Sequence, residues 1–158
     1  MLSPFECLCG NFILPEPASY VFFYAIFNLR KLFYLITRIM PLHVGKGRTE
    51  SRAISDIIDY VANPKKTDNG RLITGYACDS RTADAEFLLA KQQYIAATGR
   101  VRGADDVIAY HVRQSFKPGE ITPEEANRLG VEFAKRFTKG NHAFVVCTHI
   151  DKSHVHIE

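Results

Sequence analysis

Three of the chain's six histidines fall within one short stretch, His149-Ile150-Asp151-Lys152-Ser153-His154-Val155-His156. Three imidazoles that converge and leave open positions are what a catalytic metal needs. Side chains alternate faces along a strand. A strand running from His154 therefore puts His154 and His156 on one face and Val155 and Ile157 on the other. His149 closes the preceding apolar run, and Ile150 to Ser153 reads as a turn. A hairpin of this kind brings His149 back beside the pair. Asp151, in the turn, is placed to hydrogen-bond a ligand ring and fix its tautomer. A His-x-His pair alone is commonly surface decoration. Three histidines in register within one hairpin is the more demanding pattern.

Tyr60 is the second candidate, in Ile58-Asp59-Tyr60-Val61 before Asn63-Pro64-Lys65-Lys66-Thr67. Taken alone, a phenol there is an ordinary packing residue. Beside a metal that polarises a phosphoryl oxygen, it is a nucleophile for phosphorus. Lys65 and Lys66 suit phosphate contacts, and equally a solvated loop.

The elements that must position these groups follow from periodicity. Ser51 to Val61 carries Ala53, Ile54, Ile57, Ile58 and Val61 at the spacing of one helix face, and Asn63-Pro64 stops it. Asp68-Asn69-Gly70 is a turn signal. Leu72 to Cys78 reads as a strand. Thr82 to Ala97 reads as a helix with Ala85, Leu88, Leu89, Gln92 and Ile95 near one face, ended by Gly99. Val107 to Gln114 alternates as a strand and breaks at Lys117-Pro118-Gly119. Thr122-Pro123-Glu124-Glu125 is a capping box opening a helix that Gly140-Asn141 ends. Its apolar face holds Ala126, Leu129, Phe133, Ala134 and Phe137. Ala143 to Thr148 is an apolar strand, and Pro41 to Val44 a short one before a Gly45–Gly47 loop. The final hairpin makes part of the sheet antiparallel, so the class is α/β in the α+β sense, with helices packed on a central sheet.

The formal net charge of +3 is compatible with nucleic acid but does not argue for it. Any basic track must come from local clustering. Cys7, Cys9, Cys78 and Cys147 fit no zinc module or disulfide framework, which points to a reducing, cytoplasmic setting. Residues 1–39 differ from 40–158. Tyr20 to Ile39 is dense in aromatic and aliphatic residues, yet Arg30 and Lys31 sit in its middle, which opposes a membrane helix. No basic n-region precedes it, as a signal peptide requires. The expectation is a leader, 1–39, not native to a domain that begins at Met40, with an amphipathic membrane-surface helix as the alternative.

Three blocks, read together, resemble the relaxase/mobilisation nuclease family of the His-hydrophobic-His superfamily: Tyr60 to Thr67, Tyr110 to Glu120 and Thr148 to His156. The resemblance covers about residues 40–156, and Gln114-Ser115-Phe116 is the part most particular to the mobilisation group. It implies a mainly antiparallel, palm-like sheet. It also implies an enzyme that nicks and rejoins one DNA strand at the transfer origin of a plasmid or conjugative element. Tyr60 is then the nucleophile, forming a phosphotyrosine intermediate. His149, His154 and His156 hold a divalent Mg2+ or Mn2+, with Asp151 and His111 behind them. Lys65, Lys66, Arg71 and Arg113 are backbone contacts to single-stranded DNA. Accessory mobilisation proteins and a coupling protein are the implied partners, and no small-molecule substrate is implied.

The family strand continues after His-x-His with Asn-His and a further apolar run, whereas here it reads Ile157-Glu158. The expectation is a carboxy-terminally truncated nuclease domain. The alternatives are a rolling-circle replication initiator, which the Gln114-Ser115-Phe116 block opposes, and an inactive remnant that at most binds single strands by charge and stacking.

Overall fold

The computed structural model describes residues 20–28, 31–101, 103 and 106–158, so residues 1–19 of the amino-terminal segment lie outside it. The elements run β1 (Tyr20–Asn28), β2 (Lys31–His43), α1 (Glu50–Val61), β3 (Ile73–Tyr76), α2 (Ala83–Thr98), β4 (Val107–Ser115), α3 (Pro123–Phe137), β5 (Phe144–His149) and β6 (His156–Ile157). The strands form a six-stranded sheet in the order β1-β2-β4-β6-β5-β3. Each neighbouring pair is antiparallel. This is the α+β class the sequence implies.

Three strands differ clearly in extent from the sequence reading, and of these β3 is the four residues Ile73–Tyr76 within the expected Leu72 to Cys78. The short strand at Pro41 to Val44 is the tail of β2, which begins at Lys31 and pairs with β1 on one edge and β4 on the other. The surface helix considered for Tyr20 to Ile39 is replaced by this strand pair, in keeping with its β-branched and aromatic residues. Among the described residues no helix is long and apolar enough to cross a membrane. At the other end, β6 begins at His156 and leaves His154 in the bend before it.

Helices α1 and α3 keep the boundaries their caps dictate. Thr49 Oγ1 accepts from the Arg52 N–H at the start of α1, and Thr122 Oγ1 from the Glu125 N–H at the start of α3. Helix α3 packs on β5 and β6, and its Ala126 and Leu129 join Phe116, Ile121, Val146 and Ile157 in one buried cluster. Helix α1 packs on β4 and α2. In α2 the inner face is not the expected one. Leu89 is half exposed, while Ala83 and Lys91 are buried. Lys91 tolerates this because its ammonium bonds Glu50 at 2.7 Å and Asp106 at 2.5 Å. Burial pushes its pKa down, but these two carboxylates outweigh that and raise it.

Gly130 sets how closely α3 approaches the sheet. A Cβ there would lie 2.9 Å from both Ile157 Cγ2 and Val146 Cγ1. We expect Gly130→Val to destabilise the protein by roughly 2–3 kcal/mol through overpacking. Urea unfolding reads this as a lower midpoint, and an unchanged midpoint would contradict the close approach.

Candidate metal centre and tyrosine site

The site begins at the end of α1. Successive helical residues are turned by about 100°, so burying Val61 turns Tyr60 outward, where it is 44% exposed. The Ala62 N–H closes the helix on the Ile58 carbonyl at 2.8 Å. Carbonyls in the last turn of a helix have no partner within it, and the Val61 carbonyl is taken by His149. His149 Nε2 lies 2.7 Å from that oxygen, and His149 is fully buried. A carbonyl only accepts, so Nε2 carries the proton and Nδ1 presents its lone pair.

The lone pair faces His156. His149 and His156 are direct partners across β5 and β6. His149 Nδ1 lies 3.1 Å from His156 Nε2, with the rings nearly perpendicular. Two ligands about 2.1 Å from one ion, at a right angle, stand about 3.0 Å apart. Burial pushes the His156 imidazole below its ordinary pKa and the nearby His149 lowers it further, against opposing contributions from Glu158, the His154 backbone and Asp151. The neutral ring is the form that binds metal. Asp151 completes the set: one donor atom each from His149, Asp151 and His156 lies within 4.8 Å of the others. His154 sits beside this group, its ring 5.5 Å from that of His156 and half-buried. The two ring nitrogens therefore fit a divalent ion in donor chemistry and spacing, with the Asp151 carboxylate nearby as a third oxygen donor.

Tyr60 and His149, distant in sequence, meet edge to face with ring centroids 6.3 Å apart. The loop after α1 is tied to β5 a second time, by the Ile150 N–H donating to the Lys66 carbonyl at 2.9 Å. The Lys66 ammonium lies 3.4 Å from the Tyr60 ring centroid. Lys65 is exposed, its backbone N–H donating to Asn63 Oδ1. Arg71 and Arg113 are already paired. Arg71 bonds Asp68 at 2.6 Å and Glu124 at 2.8 Å, and Arg113 bonds Glu158 at 2.6 Å. Cys147 is buried on β5, and burial pushes its thiol up to about 12, so it offers no thiolate.

Glu158 is the residue that sequence reasoning missed. Its side chain is fully buried, with Oε1 on Arg113 Nε at 2.6 Å and Oε2 on His111 Nε2 at 3.2 Å. Oε1 also lies 3.9 Å from His156 Nε2. Its backbone continues the hairpin, exchanging bonds with Cys147 at 2.7 and 2.8 Å. The signal was alternation: a residue two after His156 shares its face. His111 accordingly reaches the site through Glu158.

Burial alone would raise the Glu158 pKa. His111 and Arg113 outweigh that and hold it at about 2. A carboxyl with a depressed folded pKa stabilises the fold above its unfolded value, near 4.5, and loses that contribution as pH falls toward 2. We expect Glu158→Gln to cost about 2 kcal/mol at pH 7, the scale of charged hydrogen bonds. The deficit relative to the wild-type chain should close below pH 4.5. Thermal unfolding across pH 2–7 measures it, and a deficit constant with pH would contradict the assignment.

Comparison with known proteins places the chain in a family. A family model described as "Relaxase: MobA/VirD2-like, nuclease domain" matches residues 60–158. The group II intron-interrupted relaxase LtrB of Lactococcus lactis subsp. cremoris (strain MG1363) is 29% identical over 122 residues, covering 65% of this chain and 22% of that protein. A Staphylococcus aureus protein, Protein rlx, is 42% identical over 84 residues, covering 52% of this chain and 24% of that protein. A second Staphylococcus aureus Protein rlx is 39% identical over 79 residues, covering 50% and 22%. The chain thus spans less than a quarter of the length of these relatives. No solved structure matches it. The family match takes in well over half of the chain, including Tyr60 and all three histidines of the hairpin, and the chain belongs to the MobA/VirD2-like relaxase family through its nuclease domain.

Proposed function

We propose that the chain carries the nicking and joining centre of a relaxase, acting on one strand of DNA at the transfer origin of a mobile element. Tyr60 is the nucleophile. The observation that carries this reading is its placement: an exposed phenol 6.3 Å, ring to ring, from the buried His149. The Tyr60 oxygen forms a bond to phosphorus as the bond from phosphorus to the 3′-oxygen breaks. The phenolic proton is lost, and the departing oxygen gains one to become a 3′-hydroxyl. The 5′-phosphate stays on Tyr60, so the phosphoester energy is kept and the reverse attack rejoins the strand.

His149 and His156 hold a divalent ion, Mg2+ or Mn2+, with Asp151 as the third donor. The family resemblance implies His154 in that third place. We favour Asp151 because its oxygen lies within 4.8 Å of both ring donors. Bound there, the ion acts as Lewis acid and template for the scissile phosphate. The chain's own groups do the remaining work. The Val61 carbonyl fixes the His149 tautomer, Glu158 braces the strand that bears His156, and Lys65 supplies positive charge at the rim. Accessory mobilisation proteins and a coupling protein would belong to the same process.

A labelled single-stranded oligonucleotide spanning the parent element's nick region tests the reaction. With Mn2+ or Mg2+ we expect a covalent protein–DNA adduct that Tyr60→Phe abolishes. Adduct surviving in that variant would assign the nucleophile elsewhere. No adduct from folded wild-type chain would reduce this chain to a single-strand binder. For the ion, Asp151→Ala should weaken Mn2+ binding by about tenfold or more, the scale of losing a ligand or its support, and His154→Ala by less. The reverse order in calorimetric titrations would restore His154 as the third ligand.

A further inference from the structure

We propose that Lys66 is a positioning residue for Tyr60, its ammonium setting the orientation of the phenol at the mouth of the histidine cluster. The inference rests on the reading of Tyr60 as nucleophile. It goes beyond that reading because it separates Lys66 from the generic backbone contacts with which its sequence position groups it.

The argument starts from how firmly the lysine is held. Its N–H donates to the Asn63 carbonyl at 2.9 Å, and its carbonyl accepts from Ile150 at 2.9 Å. The next residue, Thr67, is fully buried, with Oγ1 donating to the same Asn63 carbonyl at 3.0 Å. A surface lysine ordinarily has a free stem. Here the main chain on both sides is pinned, to the turn that follows α1 and to the residue that follows β5.

The ammonium then makes two contacts, both to one residue. It lies 3.4 Å from the Tyr60 ring centroid and 3.5 Å from the Tyr60 carbonyl. A cation over a ring face is attracted by the ring's quadrupole. Its effect is orientational: with one face of the ring covered by Lys66 and the ring in an edge-to-face contact with His149, the phenol's rotation is restricted. Among the described residues no carboxylate forms an ion pair with Lys66, unlike Arg71 and Arg113. Its charge is therefore available to the phosphodiester that Tyr60 attacks. Holding a nucleophile near its attack geometry acts on the rate of the bound complex more than on binding. A plain phosphate contact acts on binding and on its salt dependence.

That difference defines the test. Adduct formation by the 158-residue chain is followed in single turnovers with Mn2+ and the nick-region oligonucleotide, for wild type, Lys66→Met, Lys66→Arg and Lys65→Met. Lys66→Met should lower the saturating rate by about tenfold, which is about 1.4 kcal/mol of barrier. The concentration giving half-maximal rate should change less than about twofold, and Lys66→Arg should recover most of the rate, since guanidinium also stacks on rings. Lys65→Met should instead raise the half-maximal concentration and flatten its salt dependence. A Lys66→Met profile matching that of Lys65→Met would overturn the inference. A second readout is independent of activity. In protein labelled with 13C in its tyrosine rings, the Tyr60 signal, identified by its loss in Tyr60→Phe, should shift in Lys66→Met. An unmoved Tyr60 signal would overturn the inference even in a protein that forms adduct. A wild-type chain without adduct would fail the reading of the site, and the ring signal would then decide the inference alone.

Discussion

One hydrogen bond joins the two halves of the site. His149 Nε2–H donates to the carbonyl of Val61 at 2.7 Å. That carbonyl belongs to the last turn of α1, where no intrahelical partner exists for it. The bond therefore satisfies a helix end and a buried imidazole at once. Leaving either unpaired in the interior would cost on the order of 1–3 kcal/mol. It also fixes chemistry. The proton it places on Nε2 leaves the Nδ1 lone pair facing His156, and the carbonyl it uses is one residue from Tyr60. The helix that carries Tyr60 and the strand that carries His149 are thus aligned by the same contact that sets the imidazole's tautomer.

The second constraint is the shortness of β6. Two residues stand between β4 and β5 in the middle of the sheet. Ile157 faces α3 and is packed under Gly130, while His156 faces the opposite way, toward His149. So small an element is held by what surrounds it. The buried Glu158 carboxylate reaches across to Arg113 and His111 on β4, and its backbone pairs with Cys147 on β5. A charge so placed is tolerable only because it is paired, and removing one partner leaves the other exposed to the full desolvation cost.

Much of this was legible in the sequence where local chemistry decides structure. The Thr122-Pro123 cap, the Asn63-Pro64 stop and the His149 to His156 hairpin depend on neighbours in the chain, and they appear where their residues put them. The rest depended on partners far along the chain. A largely apolar run such as Tyr20 to Ile39 has no period that separates strand from helix, and pairing with β1 and β4 makes β2 a strand. Lys91 turns inward because Glu50 and Asp106 wait for it, 41 and 15 residues away. Asp151 and His154 are both near the donor cluster, but which one converges with the ring nitrogens is set by the bend, and alternation along a longer imagined strand could not supply it.

If the paired histidines and Tyr60 work together, they share one metal centre. Paramagnetic broadening by Mn2+ tests it most directly. In two-dimensional spectra of imidazole and tyrosine ring protons, small additions of Mn2+ should first erase the signals of His149 and His156. The Tyr60 signal should follow, and the distant His43 and His142 rings should persist. Equal broadening of all rings, or loss of His43 and His142 signals first, would show that the ion does not bind between β5 and β6 and would contradict the account.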